Sequence, residues 1–127
     1  MRLAYVDTSC LVAIAFDEPG ADKLATRLRR FDRLFASNLL EAELRSAAVR
    51  EGVNDRLDDL LSWITWIYPN RQLSAEFKRI TALGYLKGAD LWHLANALFL
   101  APDGKDLTFV TLDARQGQVA SRLGLAP

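Results

Sequence analysis

The chain of 127 residues has the length of one compact domain, residues 1–127, rather than two. Its hydrophobic fraction of 50% and charged fraction of 25% are typical of a soluble globular protein, and no apolar run approaches the ~20 residues of a membrane span. Sixteen basic and sixteen acidic residues cancel, which argues against a protein that coats nucleic acid through bulk positive charge. A lone cysteine and an N-terminus unlike an export signal predict a cytoplasmic protein.

Short apolar runs alternate with stretches of helical periodicity along the chain. The first half predicts a strand at 3–6, helices at 9–16 and 21–30, a strand at 33–37 and a helix from about 38 to 50. The second half predicts a helix from residue 55 that includes Ile64, a strand near 66–69, helices at 74–86 and 89–100, a strand at 107–112, a helix at 114–123 and a candidate edge strand at 124–127. Strands separated by helices predict an α/β fold, a three-layer α/β/α sandwich around a parallel sheet.

Asp7 and Asp113 share one pattern, because each follows a predicted buried strand and precedes a predicted helix. Aspartate is a good helix N-cap, worth about 1 kcal/mol, and capping alone explains either acid taken singly. Two acids that close strands of one parallel sheet, however, meet at the same edge, where sites form. Like charges repel unless a cation or proton lies between them, so the pair favours a site.

Asp90 opens the most apolar helix of the sequence, where capping is again an alternative explanation. The small residues Gly88 and Ala89 precede it and the following helix is apolar almost all round, so we expect Asp90 to enter a protected cleft. His93, one turn later, either holds Asp90 or faces the core. A single histidine is a poor transition-metal site, and we favour a structural role for it.

The helix at 38–50 carries two acids that helical geometry separates. Glu41 has Arg45 four residues later, the favourable spacing for an exposed ion pair. Glu43 has no basic residue at that spacing and lies on the flank of the apolar stripe. Glu43 therefore needs a partner elsewhere, and a metal ion is one candidate.

Four segments, in this order, resemble a known family. They are YVDTSCLVAIAFDEPG (5–20), ASNLLEAELRSA (36–47), KGADLWHLANAL (87–98) and FVTLDARQGQVASRLGL (109–125). They are similar to the PIN-domain nucleases, and most of all to the VapC-type ribonuclease toxins. The resemblance covers essentially the whole chain and places the family's acids on Asp7, Glu43, Asp90 and Asp113, and its hydroxyls on Ser9 and Thr111. The extra acid Glu41 beside Glu43 departs from the family's pattern.

The resemblance implies Mg²⁺ or Mn²⁺, RNA cleavage and neutralisation by a VapB-type antitoxin. Magnesium takes oxygen ligands and is usually held by one or two carboxylates and several waters. We expect Asp7 and Asp90 to bind the first ion most directly, and Asp113 and Glu43 to bind through water, hold a second ion or activate the attacking water. Thr111 and Ser9 would orient carboxylates or water.

Other candidates lie outside this set. Arg115, beside Asp113, is a candidate phosphate contact, and an exposed Trp66 would fit a homodimer or antitoxin contact. A phosphoacceptor receiver domain is an alternative fold of similar length, but Asp7 has no second acid beside it and no lysine follows the last strand. A non-catalytic PIN-like interaction module is a further alternative, against which the four acids count.

Overall fold

Four short, apolar segments form one parallel sheet. A computed structural model describes residues 1–127. The strands are β1 (Leu3–Val6), β2 (Arg33–Ser37), β3 (Ile64–Ile67) and β4 (Leu107–Val110). The helices are α1 (Thr8–Ala15), α2 (Ala21–Leu28), α3 (Leu39–Glu51), α4 (Leu57–Leu61), α5 (Ser74–Thr81), α6 (Gly88–Leu100) and α7 (Ala114–Arg122). Helices cover the sheet, which confirms the predicted α/β/α architecture. No helix is both long enough and apolar enough to cross a membrane.

The strand order β3-β2-β1-β4 makes β1 a central strand with a neighbour on each side. Tyr5 is paired with Phe35 of β2 and with Phe109 of β4, both in parallel register. The chain builds outward from β1 through β2 to β3, and then returns to the other side of β1 to add β4. The strand order therefore reverses between β1 and β4, and in open α/β sheets this switch point is where ligands bind, at the carboxyl ends of the strands.

The centre of the sheet is buried on both faces. Ala4, Tyr5 and Val6 of β1 are all 0% exposed, as expected for a parallel strand covered by helices on both sides. Helix α6 is buried from His93 to Leu98, in agreement with its nearly continuous apolar sequence. These two elements fix the position of the residues that follow β1 and of those that begin α6.

Several predicted boundaries were wrong. Ile64 begins β3 rather than continuing the preceding helix, which spans only Leu57–Leu61. The position of Ile64 in the sequence fits either a continued helix or the start of a strand. The run ITWI is rich in β-branched and aromatic residues, which favour a strand, and the pairing of Ile64 with Leu34 forms it. Helix α5 ends at Thr81 instead of residue 86, and Gly88 begins α6 rather than closing α5.

Two differences concern the last strand. β4 ends at Val110, so that residues 111 and 112 already belong to the loop that leads into α7. The predicted edge strand at 124–127 is reduced to a single parallel bridge between Thr108 and Ala126. The early end of β4 matters for the site, because it releases Thr111 from the strand ladder at the edge where Asp7 lies.

Two glycines with similar backbone angles predict different costs of substitution. Gly52 ends α3 with φ +70° and open space around an added Cβ, whereas a Cβ on Gly104 (φ +75°) would lie 2.6 Å from the carbonyl carbon of Gly124. Gly52→Ala should cost roughly 1–2 kcal/mol of left-handed backbone strain. Gly104→Ala should cost clearly more, because two backbone segments must separate. Urea unfolding of both variants measures the difference, and equal losses would contradict it.

Candidate active site

Asp7 lies directly at the end of β1, on the edge of the sheet where its order reverses. Its N–H donates to Val110 O at 2.9 Å, which continues the ladder with β4 by one residue. Its side chain is buried, and Oδ2 accepts from the N–H of Ser9 at 3.1 Å, so Asp7 caps α1. Oδ1 accepts from Gln116 Nε2 at 3.2 Å. One carboxylate therefore both caps α1 and contacts Gln116.

Asp113 occupies the equivalent position after β4, and it is exposed. Its Oδ1 accepts from the N–H of Gln116 at 2.7 Å, so it caps α7. Its own N–H donates to Thr111 Oγ1 at 3.1 Å. The capping interaction leaves Asp113 Oδ2 without a partner in the protein, whereas both oxygens of Asp7 accept a hydrogen bond.

Gln116 connects the acids, and sequence analysis missed it. Its side chain is fully buried, and Nε2 lies 3.2 Å from both Asp7 Oδ1 and the backbone oxygen of Asp90. Its Oε1 accepts from Thr111 Oγ1 at 2.6 Å. The available signal is the spacing Asp113-x-x-Gln116, that of a capping box. The structure turns this glutamine away from the cap and toward the other acids.

Asp90 lies in the first turn of α6, and its carboxylate accepts no hydrogen bond within the protein. Burial raises the pKa of Asp90 above its ordinary value, and the charges of Asp7 and then Asp113 raise it further. No arginine or lysine forms an ion pair with any of these three acids. The edge of the sheet thus holds negative charge that no cation of the protein compensates.

Glu43 has the partners that its own helix does not provide. Its Oε1 accepts from Thr8 Oγ1 and lies 2.7 Å from His93 Nε2. Burial alone would raise the pKa of Glu43, but the hydrogen bonds from His93 and Thr8 outweigh it and hold the pKa below its ordinary value. His93 therefore holds Glu43, not Asp90. The prediction that it has a structural role agrees with its burial at 1% exposure.

The second acid of α3 lies apart from this group. Glu41 Oε2 accepts from Arg45 Nε at 2.7 Å, the ion pair predicted from the spacing, and Arg45 also reaches Asp58 at 2.9 Å. Glu41 and Asp58 thus share one guanidinium at the surface, and this exposed ion pair distinguishes Glu41 from Glu43.

The two hydroxyls expected to orient carboxylates or water make other contacts. Ser9 Oγ accepts from the N–H of Leu112 at 3.2 Å, and so ties the start of α1 to the loop after β4. Thr111 acts through Gln116, as described above. Both side chains hold the backbone around the acids rather than the acids themselves.

Arg115 lies at the rim, two residues after Asp113. Its Nε donates to the backbone oxygen of Tyr85 at 2.6 Å, and its guanidinium lies 5.9 Å from the centre of the exposed Tyr85 ring. Trp66 lies in β3 and is half-buried, so it is not the exposed helical residue that a contact surface would require.

The chemistry of the donors fits a hard divalent cation. No three histidine, cysteine, aspartate or glutamate side chains approach closely enough to form a metal centre by themselves. Magnesium, however, is commonly held by one or two carboxylates and completes its octahedron with water. The free oxygens around Asp90 are carboxylate oxygens without thiolate or imidazole, which suits Mg²⁺ or Mn²⁺ better than zinc.

Comparison with known families agrees with this arrangement. The family model described as PIN domain matches residues 4–121. The chain belongs to the PIN domain family. PIN domains are generally nucleases and usually use divalent metal ions, and this membership makes the chain a PIN domain and not a receiver domain. No curated protein matches the chain.

The pKa of Asp90 predicts how stability depends on pH. A carboxyl whose folded pKa is raised binds more protons when folded, so it favours folding below its unfolded pKa, and this contribution is lost as pH rises through the folded pKa. At neutral pH the charged Asp90 should therefore cost stability in metal-free protein. Asp90→Asn keeps the shape and should raise the melting temperature, by an amount that grows as the pH rises above about 4 and levels off above the folded pKa of Asp90.

Thermal melts in chelator over this pH range provide the measurement. Asp55 is exposed, so Asp55→Asn is the control that should leave the melting temperature nearly unchanged. A lower melting temperature for Asp90→Asn at neutral pH would show that the charge of this carboxylate mainly stabilises the start of α6.

Proposed function

We propose that this PIN domain, residues 1–127, is a Mg²⁺- or Mn²⁺-dependent endoribonuclease. The observation that carries the proposal is the uncompensated acidic group at the switch point of the sheet. Asp7, Asp90 and Asp113 have no basic partner, and Asp7 and Asp113 both raise the pKa of Asp90. Gathering such charge costs the protein stability, whereas a divalent cation held there would activate water and stabilise charge on a phosphate.

Asp7 and Asp90 would hold the metal ion most directly, and Asp113 and Glu43 would hold it through water or hold a second ion. When bound, such an ion lowers the pKa of a coordinated water and stabilises charge on the phosphate. The protein's part is to keep the carboxylates in place. Asp7 is held by the N–H of Ser9 and by Gln116, so it does not have to reorganise when a ligand arrives.

Glu43 is charged at neutral pH, because hydrogen bonds from His93 and Thr8 outweigh burial and hold its pKa below the ordinary value. Its carboxylate would therefore be available to orient the attacking water or to bind a cation. The pKa of Asp90 is raised, and a bound cation would lower it again by favouring the charged carboxylate. Arg115 is the candidate contact for a phosphate of the RNA, because its guanidinium lies at the rim beside the only exposed acid of the group.

We further propose that the enzyme is the toxin of a VapBC-type pair, acts in the cytoplasm as a homodimer and is neutralised by a VapB-type antitoxin. The similarity of the four sequence segments to VapC-type toxins supports this role. A short neighbouring reading frame that encodes a DNA-binding protein would support it further. Growth arrest on expression, relieved by co-expression of that neighbour, tests it directly, and unaffected growth would contradict it.

Cleavage should depend on the metal and on two acids. Asp7→Asn and Asp90→Asn should each lose nearly all RNA cleavage while the fold, followed by circular dichroism, persists. Excess chelator should abolish the activity of the unmodified protein, and Asp55→Asn should remain fully active. Water as nucleophile predicts 5′-phosphate ends. Full activity of both variants, or cleavage undiminished in chelator, would refute the proposal; 2′,3′-cyclic ends would indicate attack by the ribose hydroxyl.

The two acids of α3 provide a matched comparison. Glu43→Gln should lower the cleavage rate by about 100-fold or more, the scale of a lost general base. Glu41→Gln removes only an exposed ion pair with Arg45 and should leave the rate nearly unchanged. Initial rates at saturating Mg²⁺ measure both. An equal loss in the two variants would show that Glu43 has no special part in catalysis.

A further inference from the structure

His93, the only histidine of the chain, lies within a run of hydrogen bonds that leads from the sheet to Glu43. Its Nδ1 lies 2.7 Å from Tyr5 Oη and its Nε2 lies 2.7 Å from Glu43 Oε1. Tyr5 belongs to β1 and Glu43 to α3, while His93 itself belongs to α6. The imidazole is thus held at both ends by separate elements of the fold.

The surroundings of Tyr5 determine where the imidazole carries its proton. Tyr5 Oη accepts the N–H of Ser37 at 3.0 Å, so its own hydroxyl proton is left to donate to another group. Its ring stacks on Phe109 with 5° between the planes, which fixes its direction. His93 Nδ1 is the acceptor left for the phenol proton. A neutral imidazole that accepts at Nδ1 carries its own proton on Nε2.

This tautomer makes the two oxygens of Glu43 different. The Nε2–H of His93 and the hydroxyl of Thr8 both donate to Oε1, each at 2.7 Å. Oε2 accepts no hydrogen bond from the protein. Thr8 Oγ1 also lies 3.1 Å from His93 Nε2, but its proton goes to Oε1 at the shorter distance of 2.7 Å. Had the imidazole proton been on Nδ1, the lone pair of Nε2 would therefore face the carboxylate and repel it. The orientation of Glu43 therefore depends on a proton that Tyr5 places from the opposite side of the ring.

We propose that Tyr5 and His93 are positioning residues for Glu43: the Tyr5 hydroxyl selects the Nε2–H tautomer of His93, and this N–H holds Oε1 so that Oε2 remains free for the reaction. The inference rests on the proposed function, in which Glu43 takes part in cleavage. Groups that orient carboxylates at metal sites commonly change metal affinity or activity by about 10–100-fold when they are removed.

The tautomer can be measured without any cleavage assay. Because the chain has one histidine, ¹⁵N labelling of histidine yields one set of ring signals. Metal-free protein at neutral pH should show a protonated Nε2 and a bare Nδ1. Tyr5→Phe should lose this preference, while Tyr68→Phe, a change at an exposed tyrosine, should keep it. A protonated Nδ1 in the unmodified protein would overturn the inference.

Two substitutions of His93 separate positioning from packing. Glutamine places an amide N–H close to the position of Nε2, whereas asparagine places one close to Nδ1. His93→Gln should therefore retain cleavage within about tenfold of the unmodified protein, and His93→Asn should fall about 10–100-fold below His93→Gln. Stabilisation by Mg²⁺, followed by thermal melts, should show the same order. Equal cleavage and equal Mg²⁺ response at equal melting temperatures would overturn the inference.

Failure of the proposed function looks different. If the unmodified protein cleaves no RNA with either Mg²⁺ or Mn²⁺, the nuclease proposal fails. The histidine tautomer and the Mg²⁺ response of the two His93 variants then decide the positioning of Glu43 by themselves.

Discussion

The negative charge at one edge of the sheet is the constraint on which the surrounding structure depends. No arginine or lysine forms an ion pair with the three acids there, and burial together with the charges of its neighbours raises the pKa of Asp90. Such a group is stable only if neutral donors hold it in place. The protein supplies backbone N–H groups at two helix starts and the amide of Gln116, whose buried side chain contacts Asp7 and the backbone of Asp90.

The topology explains why the acids meet. β1 is central, and the strand order reverses beside it, so the segments that leave β1 and β4 diverge from the same edge. Asp7 follows β1 directly, Asp113 follows β4 after residues 111 and 112, and each acid caps the next helix. Ser9 and Thr111 strengthen the two turns through contacts with Leu112 and Gln116. The capping interactions are therefore part of how the site is built.

Glu43 and Asp90 lie in one group but have opposite electrostatic surroundings. Hydrogen bonds from His93 and Thr8 lower the pKa of Glu43. Asp90 receives no hydrogen bond, and burial and the charge of Asp7 raise its pKa. In active sites, surroundings that shift the pKa values of two carboxyl groups in opposite directions give the two groups different protonation states and so different roles. The chain belongs to the PIN domain family over residues 4–121, and PIN domains are generally nucleases.

The sequence by itself determined what depends on near neighbours. The alternation of strands and helices follows from the periodicity of the hydrophobic residues. The positions of the acids after the strands follow from where the apolar runs end. The ion pair between Glu41 and Arg45 follows from their separation of four residues on one helix. Where a local pattern fitted two structures, as at Ile64, only pairing with Leu34 in the sheet decided. The partner of Glu43, 50 residues away, and the contact between Gln116 and Asp7, 109 residues apart, were beyond local reasoning. Such contacts depend on which elements the folded chain brings side by side, and no period or spacing in the sequence records that.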